Sequence, residues 1–166
     1  MIDLHAGISE SEAIDSDEKQ RLRLWLRLLK VSRHIEGELR ERLRRQFGST
    51  LPRFDVLAAL FRSDTGLKMS ELSSALRVSN GNVTGIIERL VGEGLVEREA
   101  IPGDRRAMRV KLTKEGRSDF SHMAEVHRGW INELLAGIDA ADAELISQLL
   151  DMGLVSDGGP KDGENK

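Results

Sequence analysis

The stretch MSELSSALRVSNGNVTGIIERLVGEGLVEREAIPGDRRAMRVKLT, residues 69–113, decides the fold, because the spacing of its apolar residues changes twice. Its first part predicts a short helix, for which Ser70 is a favourable N-cap. A brief polar turn follows, and Ser79 or Asn80 can cap a second helix. The apolar side chains of that second helix lie on one face: Val83, Ile86, Ile87 and Leu90. Two short helices within about 20 residues have the dimensions of a helix-turn-helix unit.

A β-hairpin pattern follows directly after the second helix. Residues 95–101 predict one strand, and residues 102–104, Pro-Gly-Asp, have the chemistry of a turn. In residues 108–112 apolar and basic side chains alternate with a period of two, which predicts the second strand. A hairpin in this position is the wing of a winged helix-turn-helix.

Helical patterns flank the winged unit on both sides. Residues 17–47 carry apolar side chains at three- and four-residue steps, so we expect a helix about 45 Å long. A second helix restarts with Pro52 in its first turn. Thr113 is expected to cap a long helix over roughly residues 114–137, and Asp139 to cap a final one.

The flanking helices also predict a homodimer. The first helix is longer than a small domain is wide, and the final helix is apolar, so both need a partner surface. The expected fold class is therefore mainly α with a small β-hairpin wing, a winged helix-turn-helix plus a helical dimerisation domain. The expected organisation is a flexible arm (residues 1–16), a helical dimerisation region (17–48 and 114–155), a winged helix-turn-helix DNA-binding domain (51–113) and a disordered tail (156–166).

The distribution of charge matters more than its total. A formal net charge of −3 does not by itself favour binding to nucleic acid. However, residues 1–20 and residues 139–166 each carry a net −5, whereas residues 21–46 carry a net +6. The acidic ends therefore hide a basic segment, although a charge run can also be a simple solvated helix face.

Composition excludes several classes of protein. The chain has no cysteine, so disulfides, thiolate metal sites and cysteine-based peroxide sensing are excluded. No segment approaches the roughly 20 apolar residues that span a bilayer, and the acidic N-terminus lacks the features of a signal peptide. We therefore expect a cytoplasmic protein.

The start of the second helix carries the chemistry for reading DNA. A helix fits the major groove, and its N-terminal residues meet the base edges. Here that end has short hydrogen-bonding side chains and glycines that allow close approach: Ser79, Asn80, Gly81, Asn82, Thr84 and Gly85. Arg89, further along, can reach a phosphate or a guanine, and Ser70 adds a polar group on the first helix. Alone, this run also fits an ordinary turn, but the helix before it and the hairpin after it favour DNA.

The tip of the wing predicts a second contact with DNA. Asp104, Arg105 and Arg106 lie there, and a narrow minor groove attracts an inserted arginine. An acidic neighbour can hold one guanidinium in a fixed orientation. Arg98 and Arg109 extend the basic surface along the strands. Residues 69–113 carry a net charge of only +1, so we expect binding that depends on geometry and dimerisation and is sensitive to salt.

These motifs together resemble those of the MarR family of regulators, the multiple antibiotic resistance type. The matching runs are residues 69–76, 79–90, 93–98, 103–107 and 110–113. The resemblance implies an obligate dimer, formed by the first and last helices, on duplex DNA with a pseudo-palindromic operator. It also implies that Arg106 enters the minor groove while Asp104 holds it, and that the protein acts as a repressor without any cofactor.

The resemblance further implies an effector, a small and largely apolar anion such as an aromatic carboxylate or an aromatic acyl-coenzyme A thioester. Its site would resemble a cleft between the dimerisation helices and the DNA-binding lobe. The candidate residues are Trp25, Leu29, Arg33, His34, Arg53, Phe54, Met123 and Trp130, with Arg33 or Arg53 as partner of the carboxylate. Each of them also suits an ordinary core or surface position.

Three other functions were weighed against the regulator. Metal sensing is disfavoured because His122 and His127 are five residues apart on a helix and no cysteine is present. An enzyme is disfavoured because the chain lacks a phosphate loop, a nucleophile elbow and a zinc-protease motif. A winged helix used only for protein contacts has no need of the Asp-Arg-Arg wing.

Overall fold

A computed structural model describes the backbone of residues 6–76, 80–101 and 104–153, and the side chains in these ranges except at residues 6–15, 80 and 104–107. The elements are α1 (Ala6–Phe47), α2 (Leu51–Phe61), β1 (Leu67–Lys68), α3 (Met69–Leu76), α4 (Asn80–Gly92), β2 (Val96–Ile101), β3 (Asp104–Leu112), α5 (Lys114–Leu134) and α6 (Ala140–Gly153). The expected class, mainly α with a small β wing, is confirmed. The expected turn at residues 102–103, the cap at Ser79 and the tail at 156–166 lie outside the described residues.

Helix α1 begins at Ala6, eleven residues before the expected start at Asp17. Residues 8–16 contain no glycine or proline, and extending an existing helix costs little compared with starting one. Weak apolar periodicity therefore did not prevent helix formation in the segment expected to be a flexible arm. The helix ends at Gly48, whose φ of 57° is left-handed, and Ser49 donates its N–H to the carbonyl of Leu43 over 3.2 Å.

The caps of α2 and α3 determine where the winged unit begins. Thr50 accepts the N–H of Arg53 as N-cap of α2, and Pro52 lies in the first turn as expected. The prediction of Ser70 as N-cap of α3 is wrong, because the helix already begins at Met69. Glu71 instead accepts the backbone N–H of Lys68 over 2.8 Å, as in the acidic half of a capping box.

The wing belongs to a three-stranded antiparallel sheet with the order β1-β3-β2. Strand β3 pairs Val110 with Arg98 of β2 on one side and with Leu67 of β1 on the other. The register between β2 and β3 shifts between Ala100 and Ile101. The two-residue strand β1 was not expected, because it is too short to show a period. It is preceded by Gly66, with a φ of 77°, where a Cβ would lie 2.6 Å from the carbonyl oxygen of Val110.

A close contact joins the base of the wing to α5. Thr113 is the expected cap of α5, because its hydroxyl accepts the N–H of Gly116 over 3.0 Å and donates to the carbonyl of Gly94 over 2.7 Å. Its own N–H donates to the carbonyl of Leu95. A Cβ on Gly116 would lie 1.9 Å from that same Leu95 oxygen, so only glycine fits here without a shift of the backbone.

The core lies between α2, α3, α4, the sheet and parts of α1 and α5. Its buried apolar side chains are Leu39, Leu43, Phe54, Val56, Leu57, Leu60, Leu72, Val83, Ile87, Leu90, Val96, Val110, Leu112, Phe120, Met123 and Trp130. All of these side chains lie within one compact unit, which ends at Trp130.

A second compact unit begins at Ile131. Its described part holds the end of α5, a short turn and α6, whose expected cap is confirmed because Asp139 accepts the N–H of Asp142 over 2.8 Å. No residue of α6 is buried. Its apolar side chains are instead exposed: Leu145, Ile146, Leu149 and Met152.

Candidate nucleic-acid interface

Helix α4 divides into an apolar face and a polar face. Val83, Ile87 and Leu90 are fully buried against the core. The other face exposes the backbone or side chains of Gly81, Asn82, Gly85 and Arg89, and Thr84 lies at its edge, half-buried. The burial of one face therefore holds the other at the surface, where a helix of this size can enter a major groove.

Arg89 and α2 line an open groove beside the exposed face of α4. Thr50 and Pro52 form the α2 side of the groove. The α4 side is formed by Gly81, Asn82, Gly85, Ile86 and Arg89. Four positions predicted to contact DNA therefore line this groove, and the guanidinium of Arg89 lies at one end of it. A fifth predicted position, Thr84, lies at the edge of the same face of α4.

A smaller cavity of about 120 Å³ lies between α2, α3 and α4. Its lining is formed by Pro52, Asp55, Leu76, Asn82, Val83 and Ile86. Desolvation, together with the nearby charge of Glu36, raises the pKa of Asp55 above its ordinary value. The cavity adjoins the residues predicted to face DNA and shares Pro52, Asn82 and Ile86 with the open groove.

The structure brings Arg98 and Arg109 into the sheet next to the wing. Arg98 is exposed on β2, as the DNA-binding prediction requires. Arg109 is half-buried and donates from Nη1 to the carbonyl of Thr65 over 2.9 Å, so it ties β3 to the loop before β1. Arg109 therefore has a structural role that sequence reasoning missed.

A single lysine forms ion pairs with both acidic side chains of β2. Lys111 pairs with Glu97 at 3.5 Å and with Glu99 at 3.3 Å, and these carboxylates, Glu99 first, raise the pKa of Lys111. Two acidic side chains of the predicted DNA-binding domain are thus paired with a basic side chain within the sheet.

The remaining predicted DNA contacts have only partial descriptions. Ser70 is exposed at the second position of α3. Asn80 begins α4, and Asp104, Arg105 and Arg106 begin β3, but their side chains lie outside those that the structure describes. Asp104 pairs with Ile101 across the hairpin, so its backbone is at the outer end of the β2–β3 pair.

Three of the candidate effector residues are buried: Phe54, Met123 and Trp130. Phe54 stacks on His127 with ring centroids 4.4 Å apart, and Trp130 lies 6.4 Å from the same histidine. Burial lowers the pKa of His127 below 6.5. The same aromatic cluster continues through Phe47, Phe61 and Phe120. His127, which the sequence suggested only as an unsuitable metal ligand, is thus a packing residue.

The other candidate effector residues are not part of this cluster. Trp25, Leu29, Arg33 and His34 lie on α1, and Trp25 is 57% exposed. At 1.5 Å per residue, Trp25 lies about 33 Å along the helix from Phe47, which contacts Trp130. Arg53 is occupied by an ion pair with Glu93. The eight residues therefore do not come together within a single chain.

Two kinds of feature, a metal-binding group and a membrane-spanning helix, are absent from the described residues. No group of three or more His, Cys, Asp or Glu side chains among them is placed to hold a metal ion. Within the same residues, no helix combines the length and the apolar character needed to cross a membrane.

Comparisons with known proteins agree with this geometry. The MarR family model matches residues 49–108. A MarR family transcriptional regulator from Silicibacter pomeroyi is 33% identical, with a TM-score of 0.69 over 83% of this chain and 95% of that chain. A mutant of MarR from E. coli, complexed with operator DNA, is 28% identical, with a TM-score of 0.69 over 82% of this chain and 96% of that one.

Curated relatives are matched over shorter lengths. The HTH-type transcriptional repressor IacR of Pseudomonas putida is 27% identical over 112 residues, which cover 68% of this chain and 66% of that protein. The chain spans 62%, 46% and 66% of the length of three curated regulators that it matches.

A helix-turn-helix on an apolar core, followed by a hairpin wing, defines the winged helix-turn-helix class of DNA-binding proteins. Within that class, the chain belongs to the MarR family. Members of this family are DNA-binding transcriptional regulators and not enzymes, so these expectations from the sequence are confirmed.

Proposed function

We propose that this protein is a dimeric, sequence-specific repressor that binds a pseudo-palindromic operator in the cytoplasm and is released by a small, largely apolar anion. The observation that carries the proposal is the polar face of α4, which the buried Val83, Ile87 and Leu90 hold at the surface beside the wing. The similar regulator that is complexed with operator DNA supports DNA binding by this chain.

In this proposal α4 is the recognition helix. Asn82 and Thr84 supply donors and acceptors to base edges, and the glycines let the backbone approach the duplex. Arg89 binds a phosphate or a guanine at the far end of the groove. Arg106 enters the minor groove from the wing, because a narrow minor groove has an enhanced negative potential that attracts arginine.

Dimerisation is supported by two exposed apolar surfaces, one in each compact unit. The middle of α1 exposes five apolar side chains: Leu22, Leu24, Trp25, Leu26 and Val31. The second unit exposes Ile138 and the apolar side chains of α6. Large apolar surfaces of this kind mark interaction sites, and residues 17–48 and 114–155 are the proposed dimerisation region. A two-fold axis would place the recognition helices in successive major grooves, about 34–36 Å apart.

The effector is proposed to be an aromatic carboxylate or an aromatic acyl-coenzyme A thioester. Because the eight candidate residues are divided between α1 and the aromatic cluster, any pocket that uses all of them needs α1 of the second protomer. Arg33 remains the better partner for a carboxylate, because Arg53 already pairs with Glu93. Titration of benzoate, salicylate and an aromatic thioester into the protein–operator complex tests this part, and release by none of them would refute it.

The test of the whole proposal is Arg106→Ala, measured by fluorescence anisotropy on a duplex enriched from a random-sequence library by the purified protein. We expect the specific affinity to fall by about 5- to 150-fold, since one base or groove contact contributes about 1–3 kcal/mol. Arg128→Ala on the exposed surface of α5 is the matched control and should bind normally. Unchanged binding by a folded Arg106→Ala dimer would favour a winged helix used for protein contacts.

A further inference from the structure

An ion pair connects the two helices that line the open groove. Arg53 lies in the first turn of α2, and Glu93 directly follows the last residue of α4. The Nη1 of Arg53 lies 2.6 Å from Oε1 of Glu93, and Nη2 contacts Oε2 of the same carboxylate. The pair is therefore bidentate, a geometry that fixes direction as well as distance. It joins residues 40 positions apart in the chain.

Both partners are attached to rigid backbone. The N–H of Arg53 is held by the cap Thr50 over 3.4 Å. The N–H of Glu93 donates to the carbonyl of Arg89 over 3.0 Å, and Gly94, with a φ of 76°, ends the helix next to it. A side-chain pair between two fixed helix ends restricts how α4 can tilt relative to α2.

The environment of the pair strengthens it. The Arg53 side chain is 23% exposed and that of Glu93 45% exposed, so water screens the pair only in part. The Arg53 guanidinium, with a smaller contribution from the charge of Arg89, holds the pKa of Glu93 below its ordinary value. The carboxylate consequently stays charged through the neutral range. Arg89, whose charge contributes to this lowering of the pKa of Glu93, lines the groove.

We propose that Arg53 and Glu93 are positioning residues for DNA recognition: their ion pair fixes the orientation of α4 and of Arg89, and it sets operator affinity without touching the duplex. This inference rests on the proposed function, because α4 must be the recognition helix. It gives Arg53 a role different from the effector contact that the sequence suggested.

Glu93→Gln changes DNA affinity in opposite directions under the two explanations, positioning of α4 and simple electrostatics. Removal of a negative charge near DNA should by itself tighten binding to any duplex. Loss of the positioning pair should instead lower the ratio of operator affinity to random-duplex affinity, by about ten-fold, as for other supporting residues. Glu125→Gln removes the same charge from the exposed surface of α5, outside the face of α4 assigned to DNA, and is the matched control for net charge. An equal effect of both variants would overturn the proposal.

The exchanged double variant, Arg53→Glu with Glu93→Arg, tests the pair directly. Because it restores the ion pair in reverse, we expect it to recover most of the affinity ratio that either single variant loses. The dependence of log affinity on log salt should also keep its slope in Arg53→Gln. If Arg53 instead bound a phosphate, that slope would fall by about one and the exchange would not rescue binding.

Amide hydrogen exchange provides a readout that does not involve DNA. Faster exchange in α4 and at the start of α2 is expected in Glu93→Gln and not in Glu125→Gln. If amide exchange and operator binding are both unchanged in Glu93→Gln, the positioning role is overturned but the proposed function is not. Failure of the unaltered protein to select any duplex would overturn the proposed function, and the two failures are thus distinguishable.

Discussion

Gly116→Ala should destabilise this protein although alanine is the better helix former. Within an ordinary helix this change stabilises by about 0.5–1 kcal/mol, because glycine loses more backbone entropy on folding. At Gly116, however, the added Cβ would lie 1.9 Å from the carbonyl oxygen of Leu95, 2.8 Å from its carbon and 3.0 Å from its Cα. All three are backbone atoms, so no side chain can rotate away to make room.

The magnitude follows from what must move. Ordinary van der Waals contact begins near 3.4 Å, so α5 and the start of β2 must separate by more than 1 Å at this point. That shift would weaken the hydrogen bond from the N–H of Thr113 to Leu95, now 3.1 Å long. Overpacking of this kind costs about 1–3 kcal/mol, which exceeds the gain in helix propensity. The melting temperature should fall by roughly 2–12 °C for a chain of this size.

Gly129→Ala is the matched control, because it makes the same change in the same helix where nothing lies within 4 Å of the new Cβ. We expect that variant to gain about 0.5–1 kcal/mol. Both are measured by urea unfolding at one protein concentration, since the proposed dimerisation would make stability depend on concentration. Equal stabilisation by the two substitutions would refute the reasoning, for it would mean that α5 and β2 are not in contact at Gly116.

Three further predictions concern the core, a turn and a titrating group. Leu60→Ala removes a fully buried side chain and should cost about 2–5 kcal/mol in urea unfolding. Gly66→Ala forces a side chain into a φ of 77° against the carbonyl of Val110, so we expect a loss of more than about 1 kcal/mol in the same assay. His127, whose pKa burial lowers, takes up its proton at a higher pH in the unfolded chain than in the folded one. The stability of the protein should therefore fall as the pH drops from about 6.5 toward the folded pKa, and a shallower decline is expected in His127→Gln; equal declines in thermal unfolding across this range would contradict that assignment.

Short-range sequence patterns were sufficient to predict the parts of the fold that depend on neighbouring residues. The apolar spacing in residues 83–90 predicted the buried face of α4, and the alternation in residues 108–112 predicted β3. Thr113 and Asp139 act as the expected caps, because a capping hydroxyl or carboxylate reaches only two or three residues along the chain. For the same reason, the apolar spacing indicated which positions of α4 are exposed, among them those predicted to face DNA.

The tertiary structure decided every feature that depends on residues distant in sequence. No local signal shows that Arg53 pairs with Glu93 or that Arg109 holds the carbonyl of Thr65, because each pair exists only after the helices and the sheet have packed. The effector residues suggested as one group are divided by the length of α1, since a continuous helix keeps distant positions apart. The sequence by itself thus determined the winged helix-turn-helix and its family, through periods and caps that act over a few residues. Packing alone determined which polar side chains of this unit hold one another and which remain available to DNA.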